Sequence, residues 1–188
     1  MVDQLSADHS VEVDWRAFYL RPDMPAEGMD LPEYIKHRRA AGSENRLLEI
    51  AQANGMEYIP LDRLHNTRRA HEATEFAREN GGANAFHRVV FSLVYAQGQD
   101  ISTWEVLRAA AQEVGLDADK MQSDVDGGKY TETVAHQVRE AYQIGVTGVP
   151  TYVINDRYAV VGAQPYEVFK QLIDRLRLDA GNNLQISK

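Results

Sequence analysis

The chain has 188 residues, which suits one compact domain or one domain carrying a large insertion, since single cores of ~100 to 200 residues are the norm. Its 44% hydrophobic and 26% charged residues are ordinary globular proportions, and no apolar run approaches the ~18 residues of a membrane span. A net charge of −8 repels phosphate backbones and argues against a nucleic-acid partner held by charge; the doublets Arg38-Arg39 and Arg68-Arg69 read as solvated helix faces.

The opening stretch MVDQLSADHS shows neither the basic start nor the apolar run of a secretory signal, so a cytoplasmic location is expected. Next, Val11, Val13, Trp15 and Ala17 alternate with Glu12, Asp14 and Arg16, a period of two that predicts a half-buried strand. After Pro22 and Pro25, Asp30 is placed to cap a helix with Glu33 reaching back. Ser43 is placed to cap a second, whose Leu47, Ile50 and Ala51 share a face and which Gly55 closes. Thr67 is the expected cap of a helix carrying Ala70, Ala73, Phe76 and Ala77. Beyond Gly81-Gly82, Phe86, Val89, Val90, Leu93 and Val94 fall at i, i+3, i+4, i+7 and i+8, the stripe of a helix facing a core. Ser102 to Glu105 fits a capping box flanked by Ile101 and Val106, and Leu116, Asp117 and Met121 repeat that arrangement for the next helix. The last helix of this block carries Val134, Val138 and Ala141 and ends before Gly145.

The period then changes. Thr151 to Ile154 is β-branched and aromatic, Asn155-Asp156 tolerates positive φ, and Tyr158 to Val161 resumes an apolar run, which together predict a hairpin. Pro165 stands near the start of a closing helix whose buried face is Val168, Phe169, Leu172, Ile173 and Leu176. The polar tail from Gly181 is expected to fray. Strands of one sheet are thus separated by a long helical block, which an insertion between halves of a small α/β domain explains. The division expected is 1–29 with 143–188 for the α/β domain and 30–142 for an all-helical insertion.

Chemistry-bearing residues are sparse. The chain has no cysteine, and disulfide exchange needs a thiolate to attack a disulfide sulfur. His9, His37, His65, His71, His87 and His136 show no i, i+4 pair and no carboxylate at metal-site spacing, so no metal is expected. Ser102 and Thr103 lack an adjacent base, and capping already accounts for Ser102. Trp104 reads as core or cleft lining. No glycine-rich loop matches a nucleotide fingerprint, so no cofactor and no catalytic residue are assigned.

The stretch GVTGVPTYVINDRYAVVGAQPYEVF, from Gly145 to Phe169, resembles the carboxy-terminal half of a DsbA-like thioredoxin domain. VEVDWRAFYLRPDMP at Val11 to Pro25, NTRRAHEATEFA at Asn66 to Ala77 and the helix running into GQDIS are similar to the FrnE-like subgroup, so the resemblance covers nearly the whole chain. Kappa-class glutathione transferases and hydroxychromene carboxylate isomerases share this architecture but carry a Gln-Asp-Arg-Leu-like string where this chain has Gly162-Ala163-Gln164-Pro165, which favours the redox-like subgroup.

The resemblance implies an α/β thioredoxin-like fold of the DsbA type with a large all-helical insertion. In the family a strand ends in a Cys-x-x-Cys motif at the amino end of the first helix, where the helix dipole lowers the thiol pKa. Here the first strand and most of that helix are expected to be missing, with MVDQLSADHS a candidate remnant of the helix, and His71 is expected to pack without chemistry. Val149-Pro150 corresponds to the family's cis-proline site, with Thr147 and Gly148 in the same loop, so these four residues are the expected polypeptide-binding site. The implied function is a thiol-disulfide oxidoreductase family member, redox-inactive as given. A redox-inactive peptide-binding or chaperone-like module and a relative of the glutathione-dependent isomerases are the alternatives. Implied partners are a polypeptide client along the proline loop and a second copy closing the incomplete sheet.

Overall fold

The computed structural model describes residues 2–183 and divides into two compact units, residues 17–140 and residues 1–16 with 141–188. By contacts, residues 17–29 therefore group with the helical block, whereas the sequence-based division assigned them to the chain-end domain. No helix among the described residues is long and apolar enough to cross a membrane.

The unit of residues 17–140 is built on four helices: α4 (Arg68–Glu79), α5 (Ala83–Tyr95), α6 (Trp104–Glu113) and α7 (Ala118–Asp126). Their apolar stripes meet in one core in which Phe76, Phe86, Leu107 and Met121 are fully buried. Ala70, Ala73 and Ala77 give α4 a small-residue face that lets its neighbours approach closely. Gly82 joins α4 to α5 where a Cβ would press on the Leu116 side chain at 3.2 Å. Ahead of this core lie α2 (Glu33–Ala40) and α3 (Ser43–Ala53), between two short paired strands, β1 (Met29–Asp30) and β2 (Arg63–Leu64). Gly28 precedes β1 at φ +75, where a side chain would collide with the Leu64 carbonyl oxygen.

Two carboxylates are buried in this unit. Glu72 accepts from Thr131 Oγ1 at 2.9 Å and pairs with Arg68, while Glu75 pairs with Arg78 and accepts from Gln137 Nε2 at 3.0 Å. Thr131 and Gln137 lie on α8 (Thr131–Gln143), which starts in this unit, and Gln137 Oε1 accepts from the Ala17 backbone N–H at 2.8 Å. Buried charge is tolerated because each of these carboxylates has both a cation and a neutral donor.

The other unit holds α1 (Val2–His9), the antiparallel hairpin of β3 (Thr151–Ile154) and β4 (Tyr158–Val161), and α9 (Tyr166–Asn183). Leu5, Phe169 and Ile173 form its core, with Val11, Tyr152, Ile154, Val160 and Tyr166 packed around them. The hairpin forms as the pattern predicts, with Ile154 opposite Tyr158 and both Asn155 and Asp156 at positive φ. On α9, Phe169 and Ile173 are buried as read, Leu172 and Leu176 are half-buried, and Val168 is exposed. The helix runs on through residues 181–183, where fraying was expected; the rest of that tail, 184–188, lies outside the described residues.

Several local expectations are corrected. Residues 11–17 form neither helix nor strand: alternation supplies a face to bury, but a strand also needs a ladder partner, and here Val11 and Ala17 are spent on packing. Asp30 sits in β1 and does not cap α2, whose first turn follows Pro32 without a side-chain cap. Ser43 is already helical, because Gly42 in the left-handed region starts α3. Thr67 makes no capping bond; Asn66 Oδ1 takes the Arg68 N–H at 2.9 Å. At α6 the cap is Thr103, whose hydroxyl accepts from Val106 N–H, while Ser102 is held by Asp100. Asp117 caps α7 as read, accepting from Lys120 N–H at 2.9 Å.

Candidate functional site

The loop of residues 147–150 is positioned by the end of α8 and the start of β3. Gly145, at φ +83, ends the helix: its N–H bonds to the Tyr142 carbonyl at 3.1 Å, and the Val146 N–H bonds to the Ala141 carbonyl at 2.9 Å. The chain then turns into the hairpin. Thr151 Oγ1 donates to the Gly148 carbonyl at 2.7 Å, and the Gly162 N–H donates to the Pro150 carbonyl at 2.8 Å, which ties both ends of the loop to the two strands. The Val149–Pro150 peptide bond is cis. Thr147, Val149 and Pro150 are exposed, Val149 to 53%, and no atom lies within 4 Å of where a Gly148 side chain would start.

All four sequence-predicted residues thus lie together on the surface beside the open side of β3. Among the described residues, neither the N–H nor the carbonyl of Val149 has a hydrogen-bond partner. What this arrangement offers chemically is backbone donors and acceptors beside exposed apolar side chains; it contains no nucleophile, acid or base.

The other candidate residues do not converge on it. His9 is buried at the end of α1, its Nε2 3.2 Å from the Tyr166 hydroxyl, which donates to Asp8 Oδ2 at 2.6 Å; Arg177 donates to the His9 carbonyl. The Asp8 bond is the largest of the effects that push the Tyr166 hydroxyl up to about 12, because ionising the phenol would set two anions against each other. His71 packs against the Tyr19 ring at 5.6 Å and is pushed down to about 4, first by burial and then by neighbouring His87. His87 stacks on Phe91 at 4.4 Å, and burial takes it to about 4 as well. His65 Nδ1 is 3.0 Å from Asp100 Oδ1, off the line of a good hydrogen bond. His37 and His136 are exposed. Among the described residues no three His, Asp or Glu side chains are grouped to hold a metal. Trp104 bonds Asp126 through its indole N–H at 3.1 Å and lies under the Arg69 guanidinium.

Sequence reasoning missed the buried polar groups Glu72, Glu75 and Gln137, and the Asp8–Tyr166–His9 cluster. For the first, the available signal was that Glu72 and Glu75 flank the Ala73-Phe76-Ala77 stripe of α4. For the second there was none, since 158 positions separate Asp8 from Tyr166.

Comparison with known proteins bears on the family and the fold. The uncharacterized protein YwbO of Bacillus subtilis is 29% identical over 166 residues, 87% of this chain and 81% of that protein. The crystal structure of a probable DsbA oxidoreductase from Streptomyces coelicolor superposes with a TM-score of 0.82 at 29% identity, over 92% of this chain and 80% of that one. A 2-hydroxychromene-2-carboxylate isomerase structure superposes with a TM-score of 0.77 over 100% of this chain and 90% of that one, but at 20% identity this likeness shows the fold alone. The fold is the DsbA-like thioredoxin fold, helix-dominated and with small sheets. A family described as the DSBA-like thioredoxin domain matches residues 1–174, so the chain belongs to the DSBA-like thioredoxin family.

Proposed function

We propose that this 188-residue chain is a redox-inactive member of the DsbA-like family that holds extended polypeptide at the loop of Thr147, Gly148, Val149 and Pro150. The observation that carries the first half is the absence of cysteine. Thiol exchange proceeds by attack of a thiolate on a disulfide sulfur, and the methionine thioethers present cannot substitute. The second half is supported by the exposed Val149, whose backbone groups have no partner among the described residues, at the mouth of an open strand edge.

Two assays test the reading. Reduction of insulin by dithiothreitol should proceed at the same rate with and without the purified chain; catalysis above that blank overturns redox inactivity. Aggregation of the released insulin chains should be slowed by the protein and less so by Val149→Glu, which places a charge on the exposed loop. No slowing by the unaltered protein, or equal slowing by the variant, rules out the loop as a polypeptide site.

A further inference from the structure

The outer face of α5 carries a continuous row of rings. His87, Phe91 and Tyr95 recur at i, i+4 and i+8, on the face next to the buried stripe of Phe86, Val90, Leu93 and Val94. His87 and Phe91 are 4.4 Å apart between ring centres, Phe91 and Tyr95 5.6 Å, and Tyr58 continues the row by stacking on Tyr95 at 6.4 Å. The Ile59 N–H bonds to the Tyr95 carbonyl at 2.6 Å, which holds residues 58 and 59 against the end of the helix. Phe91 is 51% exposed, Tyr95 40%, Met56 56% and Ile59 44%. Beyond Tyr95 lies a cavity of about 400 Å³ lined by Leu48, Met56, Tyr58 and Ile59, with Gln52 and Glu57 as its polar side chains.

Area, symmetry and charge together specify what covers this row. At ~150 to 250 Å² for a whole aromatic side chain, Phe91 and Tyr95 together expose roughly 140 to 230 Å². Met56 and Ile59 add roughly 60 to 120 Å². A standard interface takes ~800 Å² from each copy, about 65% of it apolar in homodimers, so these four side chains supply roughly half of the apolar share. Ridges at i±4 spacing pack into the matching grooves of a second helix. A two-fold axis through Phe91 runs two copies of α5 antiparallel and sets each His87 beside the partner's Tyr95. Charge fits the same axis: exposed Arg88 adjoins His87 at one end of the row, and exposed Glu57 adjoins Tyr58 at the other. Burial holds His87 at about 4, so the row itself is uncharged at neutral pH. The net charge of −8 on each copy is screened beyond ~8 Å in physiological salt.

We propose that the occupant is a second copy of this chain, which forms a symmetric dimer through the outer face of α5. Phe91 lies on the two-fold axis and packs on the partner's Phe91. Arg88 enters the cavity of the other copy, its stem along the partner's Met56 and the partner's Ile59 and its guanidinium on the partner's Glu57. A cation at one end of an uncharged row and a carboxylate at the other match the row's own inversion, which a partner of uniform charge does not. The contact is made within the helical unit and is independent of what the Thr147–Pro150 loop holds.

Sedimentation velocity of the purified chain between about 1 and 500 μM should show a concentration-dependent passage from monomer to dimer, at the weak end for an interface of this size. Phe91→Glu sets two carboxylates against each other on the axis. It should weaken dimerisation roughly tenfold or more while the circular dichroism stays that of the natural chain, since Phe91 is exposed in the single copy. Arg88→Glu and Glu57→Arg should each weaken the dimer, and the double exchange should recover most of the loss. Val149→Glu should leave it unchanged. A natural chain that stays monomeric throughout this range overturns the proposal, as does a dimer indifferent to Phe91→Glu or one lost in Val149→Glu. Should Phe91→Glu misfold, the charge exchange decides alone: a double exchange that recovers nothing overturns the antiparallel pairing.

Discussion

Gln137 and Glu75 are bonded side chain to side chain, the amide Nε2 donating to Oε1 at 3.0 Å, and the same Gln137 takes the Ala17 backbone N–H on its oxygen at 2.8 Å. One glutamine thereby satisfies a buried carboxylate and a buried backbone donor 120 residues away in sequence. Its amide orientation is fixed by these two partners, since the carboxylate can only accept and the N–H can only donate.

Replacing Gln137 by leucine keeps the volume and removes both bonds. The Ala17 N–H is left unsatisfied while Glu75 keeps Arg78, so at ~1 to 3 kcal/mol for one buried unpaired donor the unfolding stability should fall by about 1 to 3 kcal/mol. Urea denaturation measures it, and a loss below about 0.5 kcal/mol, typical of a surface change, shows that the bonds are not formed in solution.

Phe76 is fully buried in the helical core and meets the Tyr130 ring edge-on at 6.4 Å. Phe76→Ala should cost about 3 to 5 kcal/mol through lost burial and the cavity left behind. Phe91→Ala, on the exposed side of α5 at 51% exposure, should cost far less. Equal costs for the two contradict the assignment of the core.

Acid should destabilise the protein before its carboxylates are fully titrated. His71 and His87 stand at about 4 in the folded chain against an ordinary 6.5. Below pH 6.5 the unfolded chain takes up protons that the folded chain refuses, so their contribution is intact above 6.5 and is lost as pH falls through 4. Thermal midpoints between about pH 7 and pH 5 should fall in the natural chain and fall less in His71→Phe. A parallel decline in both contradicts neutral burial of His71.

Tyr166 ties α1 to α9 through Asp8 and His9. Tyr166→Phe should speed amide exchange in α1 while leaving the β3–β4 hairpin unchanged. Ultraviolet titration of the natural chain should show a tyrosine ionising late, at about 12, that is lost in the variant. Unchanged exchange in α1 means that Leu5 packing and the Arg177 bond to the His9 carbonyl hold that helix without the Tyr166 hydroxyl.

Much of the architecture was legible because it is local. The stripe of Phe86, Val90, Leu93 and Val94 identified α5, Asp117 announced α7, and Asn155-Asp156 marked the hairpin, each by spacing or backbone preference that acts within a few residues. Caps were read less well where several candidates were adjacent. Asn66 took the role expected of Thr67, and Thr103 that of Ser102, because the choice depends on which hydroxyl or amide the incoming chain aims at the free N–H groups.

By itself the sequence determined the helix faces, the hairpin and its turn, the position of the Thr147–Pro150 loop, and the absence of any thiol. Only the tertiary structure decided that residues 11–17 would pack without entering a ladder and that Glu72 and Glu75 would be buried beside Thr131 and Gln137. The division has one physical cause: periodicity and turn chemistry are properties of neighbouring residues, whereas pairing and burial depend on partners that folding brings from far along the chain.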